Sequence, residues 1–290
     1  MKEIVVISGK GGTGKTSTVA ALASCGPDKV LADCDVDAAD LHLILDPDIQ
    51  ATHEFWNGNL GSIDQDICIS CGTCLEHCQF EAISHDFQVM QEHCEGCGVC
   101  AYVCPQEAVR MVPRLCGEWY QSTTRHGSMI HAELGIGEEN SGKLVSLVRT
   151  KAHDKAVELG IATVLVDGSP GIGCPVIASL TNAGLAVIVV EPTISAIHDM
   201  ERVHQLTSHF RIPAMVLVNK ADINPQLVEK MKAYCQAREI PLLGTLPYDA
   251  AFTKAQIQGK SIVEYDPHGL GKLFPPMWET ILAHAQTTAD

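Results

Sequence analysis

Basic residues are scarce in this 290-residue chain: 20 lysines and arginines stand against 35 aspartates and glutamates, a net charge of −15. A phosphate backbone is bound by a basic surface, so nucleic acid is excluded as the expected partner. Long apolar runs are also missing; none approaches the roughly 18 to 20 residues that a spanning helix needs. A leader is not expected either. Met1-Lys2-Glu3 runs directly into an apolar strand, leaving no room for a signal or transit peptide, and predicts a cytoplasmic protein. Hydrophobic residues at 46% against 19% charged exclude disorder and supply a packed core. What the chain has in excess is cysteine, 13 in all. Disulfides, metal ligands and reactive thiols all stay open on the count alone, and a reducing compartment favours ligands.

Apolar runs at 4–7, 30–32, 163–166, 185–190, 215–218 and 242–246 carry little polar alternation, as strands buried on both faces do. Helical patterns at 15–24, 142–159, 175–183, 195–209, 225–238 and 270–286 alternate with them. The fold class is therefore α/β with a mostly parallel sheet. Asn140 or Ser141 is the expected N-cap of the helix that begins near 142.

Residues 62–112 break this rhythm. They hold eight of the 13 cysteines, eight acids and a single base, Arg110, a net −7. Cys68-Ile-Ser-Cys71-Gly-Thr-Cys74-Leu-Glu-His-Cys78 is echoed by Cys94-Glu-Gly-Cys97-Gly-Val-Cys100-Ala-Tyr-Val-Cys104, so two pseudo-symmetric halves are expected. The expected domains are 1–61 and 113–290 as the two parts of one core, with 62–112 as an insert.

Gly9-Lys10-Gly11-Gly12-Thr13-Gly14-Lys15-Thr16 fits G-x-x-x-x-G-K-[ST] at every fixed position, between a strand and a helix. Gly11, Gly12, Thr13 and Gly14 would turn backbone N–H groups onto phosphates at a helix N-terminus. Lys15 would reach the β- and γ-phosphates, and the Thr16 hydroxyl would hold Mg²⁺. Asp167 ends a buried strand, where an acid binds Mg²⁺ through water.

Each cysteine run is C-x2-C-x2-C-x3-C, the spacing of two-cluster ferredoxins, in which the fourth cysteine of each run ligates the other cluster. One [4Fe–4S] cluster is thus assigned to Cys68, Cys71, Cys74 and Cys104, and a second to Cys94, Cys97, Cys100 and Cys78. Zinc ordinarily takes paired C-x2-C units instead. Cys104 is followed by Pro105 but Cys78 by Gln79, a departure that touches the turn after one ligand. His77 and His93 are expected to be solvated neighbours. Cys25 and Cys235 fall in helical segments and, with Cys34, read as small buried hydrophobes.

Lys10 resembles the second lysine of the deviant Walker A motif in the MinD/ParA and nitrogenase-iron-protein class of P-loop ATPases. That resemblance implies a lysine that crosses a dimer to the partner's phosphates, and hence ATP-dependent dimerisation. Asp33-Cys34-Asp35-Val36-Asp37 looks like the switch I of the class, with Asp35 as the carboxylate that orients water or contacts Mg²⁺. The run 164–171 looks like Walker B leading into switch II. Asn219-Lys220-Ala221-Asp222 resembles the segment whose asparagine reads adenine, and Pro247-Tyr248-Asp249 the loop that closes the base pocket. With both cysteine runs, the chain is similar to a MinD-like branch carrying an inserted α+β ferredoxin domain. Cys174 matches a nitrogenase-iron-protein cysteine by its offset from Asp167, and Cys116 is its counterpart between the switches; together they are a possible bridging metal site.

Two functions follow from this resemblance, and the residues do not separate them. One is a redox ATPase whose nucleotide state gates electron transfer through the clusters. The other is an ATPase that assembles or delivers an iron–sulfur or heterometal cluster. A homodimer and a heterodimer with a paralogue are both open, with a redox or metal-centre client, basic at its docking face. Membrane attachment is not expected, because residues 269–290 have one lysine, Lys272, and Pro275-Pro276, unlike a basic amphipathic helix.

Overall fold

A computed structural model of the chain describes residues 1–135 and 141–285. It divides into two compact units: a larger one of Met1–Thr52, Trp119–Glu133 and the chain from Ser141 onward, and a smaller one of His53–Glu118 with the segment that begins at Leu134. The first half of the chain forms β1 (Lys2–Ser8), α1 (Lys15–Ala23), β2 (Val30–Asp33), α2 (Leu41–Leu45), β3 (Asp48–Ile63), α3 (Thr73–His77), α4 (Val99–Tyr102), β4 (Val109–Thr124) and β5 (Gly127–Leu134). The second half forms α5 (Ser141–Leu159), β6 (Thr163–Pro170), α6 (Cys174–Leu180), β7 (Leu185–Val190), α7 (Ile194–His209) and β8 (Ala214–Val218). It closes with α8 (Pro225–Ala237), β9 (Leu242–Thr245), α9 (Ala250–Ile257), α10 (Ile262–Tyr265) and α11 (Phe274–His284).

The strand order is β3-β4-β5-β2-β6-β1-β7-β8-β9, and β3 and β4 contribute residues to both units. From β2 to β9 every neighbouring pair is parallel, as is β2 with β5. The apolar runs explain this. Ile4, Val5, Val6 and Ile7 are all fully buried, because helices cover both faces of the central strand. Each such side chain contributes about 1.5 to 3 kcal/mol relative to exposure. On one face α1 packs with α11, whose Phe274, Trp278 and Ile281 join Val19, Leu22 and Leu31 in the core. No described helix is long and apolar enough to cross a membrane.

The expected strands and helices of the larger unit form with small shifts at their ends. Residues 270–286 differ: Leu270–Leu273 is a 3-10 turn and α11 starts at Phe274, where Pro275 and Pro276 occupy the first helical turn. Asn140, one of the two N-cap candidates, lies outside the described residues, and α5 starts at Ser141. The smaller unit starts before Ser62 and ends beyond Val112, because the arms of β3 and β4 fold with it. Those arms have ordinary composition, so a boundary drawn from acid and cysteine content missed them.

Within the smaller unit the backbone repeats as the cysteines do. Cys94 follows Cys68 by 26 residues, and the left-handed residues recur at the same interval. Ser70 and Gly96 have φ 54° and 63°, Gly72 and Gly98 81° and 78°, and Glu81 and Glu107 both 52°. Each half places one short helix, α3 or α4, directly after its second left-handed residue.

Candidate functional site

In the larger unit the phosphate loop, Asp35, Asn219 and Pro247 follow the carboxyl ends of parallel strands, where open α/β sheets place ligands, whereas Asp167 lies within β6, three residues before its end. The loop after β1 turns at Gly12 and Gly14, with φ of 77° and 91°. Gly14 also needs its lack of a side chain: a Cβ there would lie 2.3 Å from Nδ2 of Asn219. Gly9 is fixed by packing, since a Cβ would lie 2.3 Å from that of Asp199 on α7. Gly11, Gly12, Thr13, Gly14, Lys15 and Thr16 line one cavity of about 440 Å³ with Asp35, Asn219, Pro247, Tyr248 and Phe252. That volume falls in the range of small-molecule sites, about 300 to 1,000 Å³.

Lys15 is the cation at the centre. Its Nζ lies 2.5 Å from Asp167 Oδ1 and 3.2 Å from Asp35 Oδ2, with the lysine 5% exposed. Burial pulls its pKa down, but Asp167 and Asp35 outweigh burial and hold it well above the usual lysine value. Asp33, paired with Asp167 in register between β2 and β6, is a third carboxylate. It accepts N–H bonds from Asp35 at 3.1 Å and Leu41 at 3.3 Å. Burial, then the Asp167 charge, raises its pKa; burial likewise raises that of Asp35, against the pull of Lys15. Three carboxylates thus face one ammonium group. Asp167 Oδ2 is buried with no protein partner. A single unpartnered carboxylate oxygen there suits a cation that keeps most of its waters.

The other predicted residues are placed differently. Lys10 Nζ contacts Glu191 Oε1 at 2.7 Å and Thr193 Oγ1 at 3.3 Å, on its own subunit. Asn219 lines the cavity, but its amide is committed to the loop: Nδ2 donates to Thr13 O at 2.8 Å and Oδ1 accepts from Lys220 N at 2.9 Å. It braces the phosphate loop, where the resemblance implied a base contact. Pro247 and Tyr248 close the cavity, with Tyr248 N donating to Asp222 Oδ1 at 2.5 Å. Glu191 was not singled out from the sequence, and Asp33 and Lys220 were named only within their motifs, with no role; their position at strand ends was the available signal.

The smaller unit brings its cysteines together in two sets. Cys68, Cys71, Cys74 and Cys104 line one cavity with Ile63, Phe87 and Val109. Cys78, Cys94, Cys97 and Cys100 line another with Phe80, Ile83 and Val89. Ala108 N donates to Cys104 Sγ at 3.3 Å and Ala82 N to Cys78 Sγ at 3.4 Å, again 26 residues apart. Gln79 in place of proline therefore leaves that turn intact. Burial raises the thiols of Cys74 and Cys100, which occupy equivalent positions. Among the described residues no three Cys, His, Asp or Glu side chains converge on a single-ion site. Four thiols around a multi-atom cluster stand farther apart than around one ion. His77 is exposed and bonds through Nδ1 to Thr73 O at 2.9 Å, and His93 is also exposed.

Cys116 and Cys174 belong to different units. Cys116 is fully buried, with Sγ donating to Asn57 O at 3.1 Å, whereas Cys174 is exposed at the start of α6. Cys25, Cys34 and Cys235 are buried. Burial raises all three thiols, those of Cys25 and Cys235 to about 11.

Residues 4–262 match the model of the CobQ/CobB/MinD/ParA nucleotide binding domain. The chain is 37% identical over 225 residues to the uncharacterized protein MJ0578 of Methanocaldococcus jannaschii, covering 77% of this chain and 79% of that protein. Its fold is that of MinD: the septum site-determining protein of Pyrococcus horikoshii, solved with Mg-ADP, superposes with a TM-score of 0.60 at 19% identity, over 97% of each chain. MinD from the MinC:MinD complex of Aquifex aeolicus gives 0.56 at 18% identity, over 100% of this chain and 99% of that one. The match across nearly the whole chain, with the phosphate loop at its start, makes this protein a member of the CobQ/CobB/MinD/ParA nucleotide-binding family, a MinD/ParA-like P-loop ATPase.

Proposed function

We propose that the protein is a dimeric iron–sulfur ATPase in which the nucleotide state governs electron transfer through two [4Fe–4S] clusters. The observation that carries this reading is the partition of eight cysteines around two apolar cavities, four to each. Apolar walls, thiol donors and backbone N–H bonds to sulfur are the surroundings such a cluster needs. When bound, the two clusters supply one-electron redox chemistry. Cys68, Cys71, Cys74 and Cys104 would hold one, and Cys94, Cys97, Cys100 and Cys78 the other. The eight acids and one base of 62–112 favour a client with a basic docking face, whose binding weakens in salt.

The nucleotide side follows from charge. Lys15, now neutralised by carboxylates, would turn to the β- and γ-phosphates of ATP, and the freed Asp167, with the Thr16 hydroxyl, would hold Mg²⁺. Asp35 would orient the attacking water. Lys10 would cross to the phosphates of a second subunit, either a copy of this chain or a paralogue. ATP held between two subunits has different affinity for the open and closed dimers, the only means by which a ligand can shift that equilibrium.

A second reading, assembly or delivery of an iron–sulfur or heterometal cluster, is favoured by one observation, the exposed thiol of Cys174. Buried Cys116 would have to leave its packing to join it. Iron and acid-labile sulfide analysis on anaerobically isolated dimer separates the two. The redox reading expects about 16 irons per dimer, unchanged in Cys174→Ala; a bridging cubane raises this to about 20 and the substitution removes the difference. Protein without iron after full reconstitution would overturn both.

A further inference from the structure

Glu191 stands directly after β7, and no sequence motif drew attention to it. Its Oε1 accepts from Lys10 Nζ at 2.7 Å and its Oε2 from Lys220 Nζ at 2.8 Å. Lys220 Nζ also donates to Gly12 O at 2.9 Å, inside the phosphate loop. Lys10 has one further contact among the described residues, a neutral one at 3.3 Å to the hydroxyl of Thr193, which caps α7 by accepting from Ala196 N. One carboxylate therefore binds two ammonium groups at the mouth of the loop, and the trio keeps a net positive charge. Both bonds are charge-assisted, the class that phosphate oxygens replace in kind. Burial opposes ionisation of Glu191, but the two lysines outweigh it and hold its pKa below the usual glutamate value.

We propose that Glu191 is a positioning residue that holds Lys10 on its own subunit until nucleotide phosphates displace it, and so sets the ATP concentration at which two subunits close. This rests on the reading of Lys10 as a contact to the partner's nucleotide. Glu191 acts through Lys10 and, by way of Lys220, through Gly12. A carboxylate that only stabilised the loop would have the opposite effect when removed, since nucleotide binding of every kind would weaken.

The test is sedimentation velocity of the full-length protein, titrated with a non-hydrolysable ATP analogue and Mg²⁺. Glu191→Gln keeps the shape but removes the carboxylate charge and leaves one accepting oxygen for two ammonium groups, so the ion pair that holds Lys10 is lost. The midpoint for dimerisation should fall about five-fold. Glu191→Asp keeps the charge and should return the midpoint toward the wild-type value. Lys10→Ala should abolish the dimer. If Lys10→Ala dimerises like wild type, the reading of Lys10 fails and the proposal with it. If Lys10→Ala stays monomeric but Glu191→Gln has an unchanged or raised midpoint, the proposal alone is overturned. A parallel loss of ADP affinity in Glu191→Gln would likewise assign it a purely structural role.

Discussion

Removing the Lys15 ammonium should destabilise the nucleotide-free protein, beyond any effect on nucleotide binding. Lys15 is the cation set among Asp33, Asp35 and Asp167, at 2.5 Å from Asp167 and 3.2 Å from Asp35. Asp167 is wholly buried and has one oxygen with no other protein partner. Lys15→Ala therefore leaves buried carboxylates without a counter-ion, a loss of about 3 to 5 kcal/mol for a buried pair broken on one side. At roughly 2 to 4 °C per kcal/mol in a chain of this size, Tm should fall by on the order of 6 to 20 °C. The assay is thermal unfolding by circular dichroism in EDTA, without nucleotide. Lys15→Ala/Asp167→Asn should regain about 1 to 3 kcal/mol, because the orphaned charge goes as well. Mg²⁺ should stabilise Lys15→Ala more than the wild type. A Tm within about 2 °C of wild type, or a double variant no better than the single one, would refute the electrostatic account.

Three other outcomes follow. Gly9→Ala forces a Cβ to within 2.3 Å of Asp199 and should cost about 1 to 3 kcal/mol of stability in urea unfolding, with weaker ADP binding. Glu264 lies against Arg125 at 2.5 Å; burial opposes its ionisation, yet Arg125 and the Ser261 N–H hold its pKa at about 2, below the ordinary 4.5. The stability from this depressed carboxylate is full above pH 4.5 and is lost as pH falls toward 2, so acid unfolding of Glu264→Gln should show a shallower Tm loss over that window. Cys78→Ala should lose the cluster of the second cysteine run and not that of its own. Its residual electron paramagnetic resonance signal should match that of Cys97→Ala and differ from that of Cys71→Ala.

The sequence was most legible where a local rule acts. The strand at 185–190 forms over those residues because Leu-Ala-Val-Ile-Val-Val is apolar on both faces. The phosphate loop and the two cysteine runs are marked by fixed short spacings, and the structure gathers the residues of each along common cavities. Non-local pairings were not readable. Nothing in the sequence joins Lys10 to Glu191 across 181 positions, and only the order of β1 beside β7 brings them together. Asn219 was identified as a residue of the site, but its amide donates to Thr13 O, a bond decided by how closely Gly14 lets the two loops approach. Long β3 was missed because its first stretch, Asp48 to Glu54, is mostly exposed and has only Ile49 and Ala51 as apolar residues, too short a signal to mark a strand.

The most direct test of the coupling between nucleotide and clusters is the midpoint potential of the reduced-minus-oxidised cluster signal, measured with Mg-ADP and with a non-hydrolysable Mg-ATP analogue. Reciprocity requires that if the closed dimer prefers one redox state tenfold, the potential moves by about 59 mV for a one-electron couple. A shift of that order, absent in Lys10→Ala, is the predicted result. Identical potentials in the two nucleotide states, on protein that carries both clusters and dimerises with the analogue, would contradict the account.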